Sequence, residues 1–175
     1  MKHSARVRTW LALAGLLIAS AAFGQSNLAR IAFSPYTGEW RGVFRTYSAE
    51  GKLIDSLRVH QKYFWEGNTQ KVIITDLHAD GRKEISHADN FVRHDSLFCV
   101  VRKPDGQEIV EIGRLAGRRL IWRHVDPNKG SQEIFKEYVK GRGRRAVYYI
   151  DGVGVYGSGP QATILLFEGR YRKIK

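Results

Sequence analysis

Glu39-Trp40-Arg41-Gly42-Val43-Phe44-Arg45-Thr46-Tyr47 decides the fold. Trp40, Gly42, Phe44 and Thr46 fall on one parity, and Glu39, Arg41, Arg45 and Tyr47 on the other. Successive side chains of a β-strand point to opposite faces, so this alternation predicts a half-buried strand. Ala49-Glu50-Gly51 turns the chain. Lys52 to Trp65 then repeats the rhythm, with Leu53, Leu57, Val59 and Tyr63 set against Lys52, Arg58, His60 and Lys62.

The same beat runs to the end of the chain. Strands are expected over 70–78, 82–93, 96–103, 107–115, 118–125, 131–139, 145–150 and 161–172, separated by Glu66-Gly67-Asn68, Ala79-Asp80-Gly81, His94-Asp95, Pro104-Asp105-Gly106, Ala116-Gly117 and Asp126 to Gly130. Turns this short make strands that are neighbours in sequence antiparallel neighbours in space. About ten such strands tend to close on themselves, because closure removes unpaired edges. The chain is therefore expected to be all-β, an antiparallel up-and-down barrel, with a β-sandwich as the second choice. Residues 25–35 allow only a short helical turn before Pro35.

The first residues have a different character. Lys2, Arg6 and Arg8 precede the apolar run Leu11 to Ile18, and Ala22-Phe23-Gly24 places small side chains before Gln25. That pattern predicts a secretory signal peptide over residues 1–24 and a single domain over 25–175, with a periplasmic or secreted location. The apolar run is shorter than the ~20 residues a membrane-spanning helix needs, and no second one follows, so no transmembrane segment is expected in the mature chain.

Removing residues 1–24 leaves 26 basic against 17 acidic residues, a net charge of +9. The basic residues are spread along the chain, with modest clusters at Arg118-Arg119, Arg142 to Arg145 and Arg170 to Lys175. Such scatter fits a solvated surface and leaves an anionic surface as a secondary partner. Specific nucleic-acid recognition is not expected, since no aromatic-and-basic RNA-binding string occurs. Cys99 is the only cysteine, so no intramolecular disulfide and no cysteine metal cluster can form. Its apolar setting, Leu97 to Val101, predicts a core thiol.

Gly38-Glu39-Trp40, placed after a short helical segment and at the start of the meander, resembles the first-strand Gly-x-Trp signature of the calycin superfamily, the lipocalins and their relatives. The strand count is more similar to the ten-stranded bacterial lipocalin-like and nitrobindin-like barrels. The resemblance implies that Trp40 plugs the closed end of the barrel and that a late basic residue, Arg170 or Arg172, packs over it as a structural partner. It also implies a cavity for an apolar or amphipathic molecule, and in nitrobindin-like members haem held by a histidine near the C-terminal end. This chain has no His after His124.

Candidate ligand-binding residues follow from parity. His87 and Asp89 share one with Ile85 and Phe91, roughly 7 Å apart along the strand. If that face points inward they are positioned to orient a ligand, ligate a metal or work as acid and base; otherwise Ser86, Ala88, Asn90 and Val92 face in. His124 shares a parity with Leu120 and Trp122 and is expected inside, near one end. Asp55 and Gln61 lie on the apolar parity of their strand. Tyr63, Trp122, Tyr148 and Tyr149 supply aromatic surface with one polar atom each, which suits an amphipathic guest. Gly152-Val153-Gly154-Val155-Tyr156-Gly157 matches a dinucleotide-binding string, but Ser158-Gly159-Pro160 and a strand follow where that motif needs a helix. It is read as a glycine-rich hairpin loop or bulge. No serine nucleophile elbow and no His-Glu-x-x-His occurs.

The expected function is an exported, lipocalin-like protein that binds a small hydrophobic or amphipathic molecule without covalent chemistry. Two alternatives remain at this stage. One is a barrel enzyme or haem-binding protein that uses His87, Asp89 and His124. The other is a binder of anionic surfaces through Lys136 to Arg145.

Overall fold

The computed structural model describes residues 26–175. The expected signal peptide, residues 1–24, lies outside them. A helix, α1, covers residues 26–33, and a 3-10 turn, Ser34–Tyr36, follows it with Pro35 near its start. Ten strands come next: β1 (Gly38–Ser48), β2 (Leu53–Glu66), β3 (Thr69–Leu77), β4 (Lys83–Arg93), β5 (Ser96–Arg102), β6 (Glu108–Ala116), β7 (Arg119–Asp126), β8 (Ser131–Lys140), β9 (Val147–Tyr156) and β10 (Thr163–Lys173). Every strand pairs antiparallel with its sequence neighbours, and β10 returns to pair with β1, so the sheet is a closed barrel. The barrel expected from the alternation is the one observed, and the sandwich is not.

The turns follow backbone chemistry. His94 and Asp95 both have positive φ, 48° and 59°, which is the geometry a two-residue hairpin needs to match the twist of β4 and β5. No helix among the described residues is long and apolar enough to cross a membrane.

One end of the barrel is plugged. The connections after β2, β4, β6 and β8 gather there, with α1 tucked beneath them. Ala29, Ala32, Phe33 and Tyr36 are buried, and the Phe33 ring lies 6.2 Å from Trp122 and nearly parallel to it. Trp40 is fully buried, and its indole Nε1–H donates to the Tyr36 carbonyl at 2.6 Å. Gln70, also fully buried, donates from Nε2 to the Phe33 carbonyl at 2.8 Å and to Thr37 Oγ1 at 3.2 Å. These bonds satisfy groups at the end of a short helix that would otherwise be orphaned in the core.

The basic residue over Trp40 is neither Arg170 nor Arg172. Both point outward and are exposed. Lys173 takes the place: its Nζ lies 5.3 Å from the Trp40 ring centre and donates to the Thr37 carbonyl at 2.7 Å. The reason is parity. Gly169, Tyr171 and Lys173 alternate inward along β10, so the arginines between them must face out.

The glycine string is a second correction. Residues 152–155 are not a loop but the second half of β9, paired with β8 and β10. Gly152 sits where a Cβ would lie 2.3 Å from the Phe135 ring, so the missing side chain makes room for that ring inside the barrel.

Candidate functional site

Above the plug the inward faces line a cavity of about 180 Å3. Its floor is aromatic. Tyr148 is the hub, with ring centres of Tyr36, Tyr171, Trp40 and Tyr63 at 5.0, 5.2, 5.7 and 6.3 Å. The Tyr63 hydroxyl donates to Gln61 Oε1 at 3.2 Å and lies 3.5 Å from the Tyr148 hydroxyl. Trp122 closes another side, and it fits only because its cross-strand partner is Gly113, where a Cβ would come within 2.3 Å of the indole. Phe44, Ile74, Val101, Leu120, Phe135 and Ile150 complete the apolar wall.

Polar groups punctuate that wall. Gln61 and Asn90 are buried, while Cys99, Glu111 and Glu137 are half-buried and enclosed by the strands around them. Burial first, then repulsion by Glu137 and Glu133, pushes the Glu111 carboxyl up to about 8. Burial pushes Glu137 up to about 7, against hydrogen bonds from Trp122 and Tyr148 that favour its charged form. Removing a carboxylate from water disfavours its charge, and two of them in one cavity disfavour each other's. The same burial, with the nearby carboxylates, raises the Cys99 thiol and the Tyr63 and Tyr148 phenols. Cys99 therefore stays a thiol and the phenols stay hydrogen-bond donors.

Of the residues singled out from sequence, Tyr63, Trp122 and Tyr148 meet in this cavity. His87 and Asp89 do not reach it. They lie on the outer face of β4, with His87 exposed and Asp89 held by Lys71 at 2.8 Å and Arg102 at 3.0 Å. Burial opposes ionisation of Asp89, but those two bonds outweigh it and hold its carboxyl below the usual value. The inward face of β4 is the small one, Ser86, Ala88 and Asn90, all buried, because the barrel interior is already crowded by rings from other strands.

His124 keeps the inward parity but lies outside the cavity lining. Its Nδ1–H donates to the Val110 carbonyl at 2.9 Å. His87, Asp89 and His124 thus form no common site. Tyr149 faces outward, stacked on Tyr138 at 5.0 Å, and Asp55 is exposed.

Haem does not fit. No histidine lines the cavity, and its volume falls below the ~300 Å3 at which pockets for drug-sized ligands begin. No cluster of His, Cys, Asp or Glu suited to a metal ion occurs among the described residues.

Glu111 and Glu137 were not singled out from sequence. On β6 the outward residues Val110 and Ile112 are apolar and exposed, so alternation points the wrong way. On β8 the signal was present: Glu137 shares a parity with Phe135 and Val139.

No protein-family model and no curated protein matches the chain. Solved structures do. An S-type phycobiliprotein lyase from Guillardia theta superposes with a TM-score of 0.60 at 5% identity, over 82% of this chain and 90% of that one. The Mycobacterium tuberculosis protein Rv2717c superposes with a TM-score of 0.55 at 14% identity, over 84% and 98%. Likeness at such identities shows a shared fold alone, that of the closed antiparallel barrel described above.

Proposed function

We propose that the protein is an exported relative of the calycins that holds a small amphipathic molecule inside its barrel and does no covalent chemistry on it. The observation that carries this is the cavity: a closed wall of ten strands leaves a void over a tyrosine and tryptophan floor instead of a filled core. Interiors normally pack to crystal-like density, so retained space lined by polar atoms signals a guest. At about 180 Å3 the void compares with the ~150 Å3 engineered cavity that takes up benzene, which sets the guest at one or two rings. The enzyme alternative loses its residues, because His87 and Asp89 lie on the outer wall and His124 lies off the cavity.

The test is to fill the space. Ala88 is buried and lines the cavity, so Ala88→Leu projects a larger side chain into it. A screen of single-ring and two-ring compounds by ligand-observed NMR should find binders of the parent protein that the variant no longer binds, while its Tm is kept or raised. Binding that survives in the variant would place the ligand elsewhere and sink the proposal.

A second reading has its own observation. On the outer face of β8 to β10 the stacked Tyr138 and Tyr149 rings are ringed by Arg119, Lys136, Lys140 and Arg170, each within 6 Å of a ring centre. Aromatic rings framed by cations suit the headgroup region of an anionic bilayer. Co-sedimentation with vesicles containing phosphatidylserine, but not with phosphatidylcholine alone, and its loss on Tyr138→Ala with Arg170→Ala, would support it. Equal recovery with both vesicle types would refute it.

A further inference from the structure

The outside of this barrel is basic, but the inside is not. The residues lining the cavity include two carboxylates, Glu111 and Glu137, and no Lys, Arg or His. Strand by strand, the titratable groups facing it are Tyr63 from β2, Cys99 from β5, Glu111 from β6, Glu137 from β8 and Tyr148 from β9, with Tyr36 from the turn after α1. The strands β1, β3, β4, β7 and β10 contribute no titratable side chain to the lining. Glu133, on the same face of β8, already accepts from the Tyr156 hydroxyl.

A separate observation points the same way. Asn90 is 94% buried (6% exposed) and lines the cavity, yet its Oδ1 has no hydrogen-bond partner. Its orientation is fixed by a chain of bonds that starts at a group able only to accept. The Phe33 carbonyl takes the amide N–H of Gln70, so Gln70 Oε1 must face Asn90 and accept from its Nδ2 at 3.1 Å. The oxygen of Asn90 is then the atom left over. A buried acceptor without a donor has lost its water and gained nothing in return, and such a group in a native fold calls for a partner.

We infer that the guest is a small aromatic amine, its ring set against Trp122 and Phe135 and its ammonium held by Glu111 and Glu137, with an N–H for Asn90. The inference rests on the reading that the cavity holds a small molecule, and adds the sign of its charge. An ammonium supplies both things the lining lacks, a positive charge and N–H donors. A carboxylate guest meets two carboxyls and no cation. A neutral guest leaves the charges unpaired. Because burial raises both carboxyls toward neutrality, with repulsion by Glu137 adding to it at Glu111, an arriving cation lowers them and releases protons. Binding should therefore tighten as pH rises from 6 to 8.

Isothermal titration with benzylamine, benzyl alcohol and benzoate, one ring with three charges, tests this at pH 6 and 8. At pH 8 the amine should bind on the order of tenfold more tightly than the alcohol, and benzoate should not bind, since a charge-assisted hydrogen bond is worth about that factor. Glu137→Gln and Glu111→Gln keep the shape. They should erase the preference for the amine, and a cooperative thermal unfolding transition in each variant shows that it is folded. Alcohol binding equal to the amine, or a preference that survives both substitutions, overturns the inference while the cavity reading stands. If none of the three binds at millimolar concentration, both fall.

Discussion

Replacing Glu111 with Gln should stabilise the barrel above neutral pH and flatten its dependence on pH. In the folded chain burial, then repulsion by Glu137 and Glu133, raises Glu111 from 4.5 to about 8, and burial raises Glu137 from 4.5 to about 7. Unfolded, both ionise near the ordinary value. Over the interval between, the folded state holds protons that the unfolded state has released, so stability falls as pH rises. It is fully present below about pH 4.5, is lost through the folded values, and levels off above them. At about 1.4 kcal/mol per pH unit of difference, the charged Glu111 costs up to about 5 kcal/mol and Glu137 up to about 3. Both side chains are only half-buried, so solvent screens them, and these are ceilings. About 2 kcal/mol gained by Glu111→Gln at pH 9 is the working expectation. The assay is urea unfolding followed by the fluorescence of Trp40 and Trp122, which are buried in the core, at steps from pH 5 to 9. The curves of parent and variant should meet near pH 5, separate between about pH 5 and 8, and keep a constant gap above that. Parallel curves, or a variant less stable at pH 9, would refute the reasoning.

Other substitutions probe the scaffold. Trp40→Ala removes a fully buried indole and its bond to the Tyr36 carbonyl, and should cost about 3–5 kcal/mol in denaturant unfolding. Lys173→Met should cost about 1 kcal/mol, through the lost bond to the Thr37 carbonyl and the charge over the Trp40 ring, while Arg170→Ala should change stability by less than about 0.5 kcal/mol. The reverse order would restore an arginine to the plug. Gly113→Ala drives a methyl group into the Trp122 ring and should cost about 1–3 kcal/mol, with a shift in tryptophan emission; an unchanged melting curve would mean the wall is softer than its geometry indicates.

The barrel was legible because two local signals agree along the whole chain. Alternation named the strands, and Asp-Gly or Pro-Asp-Gly named the turns that fold each strand back on the last. Where they disagreed the reading failed. Glycines at 152, 154 and 157 look like turn residues, but the first two only clear space for neighbouring rings such as Phe135, the cross-strand partner of Gly152. Parity failed where one strand is small inside and large outside. Ser86, Ala88 and Asn90 are a less obvious core face than Ile85, His87, Asp89 and Phe91, although they are the buried one. Glu111 was invisible for the same reason, flanked by outward Val110 and Ile112. Which side of a strand is inside depends on how much room the other nine leave, and no single strand carries that information. Tyr63, Trp122 and Tyr148 were found because a large ring with one polar atom suits an enclosed floor wherever it occurs.

The seam between β1 and β10 places Trp40 opposite Lys173, joining the start of the first strand to the end of the last. Every other strand pairing joins consecutive strands and can form as the chain lengthens, whereas this one waits for the final strand. Until β10 arrives, β1 and β9 each present a bare edge, the plug has no lysine above its tryptophan, and the interior is open to solvent along one side. The order of events is thereby written into the topology: a curled sheet first, and a closed wall only at the last step. A chain cut short before Thr163 would be left as an adhesive sheet with two free margins.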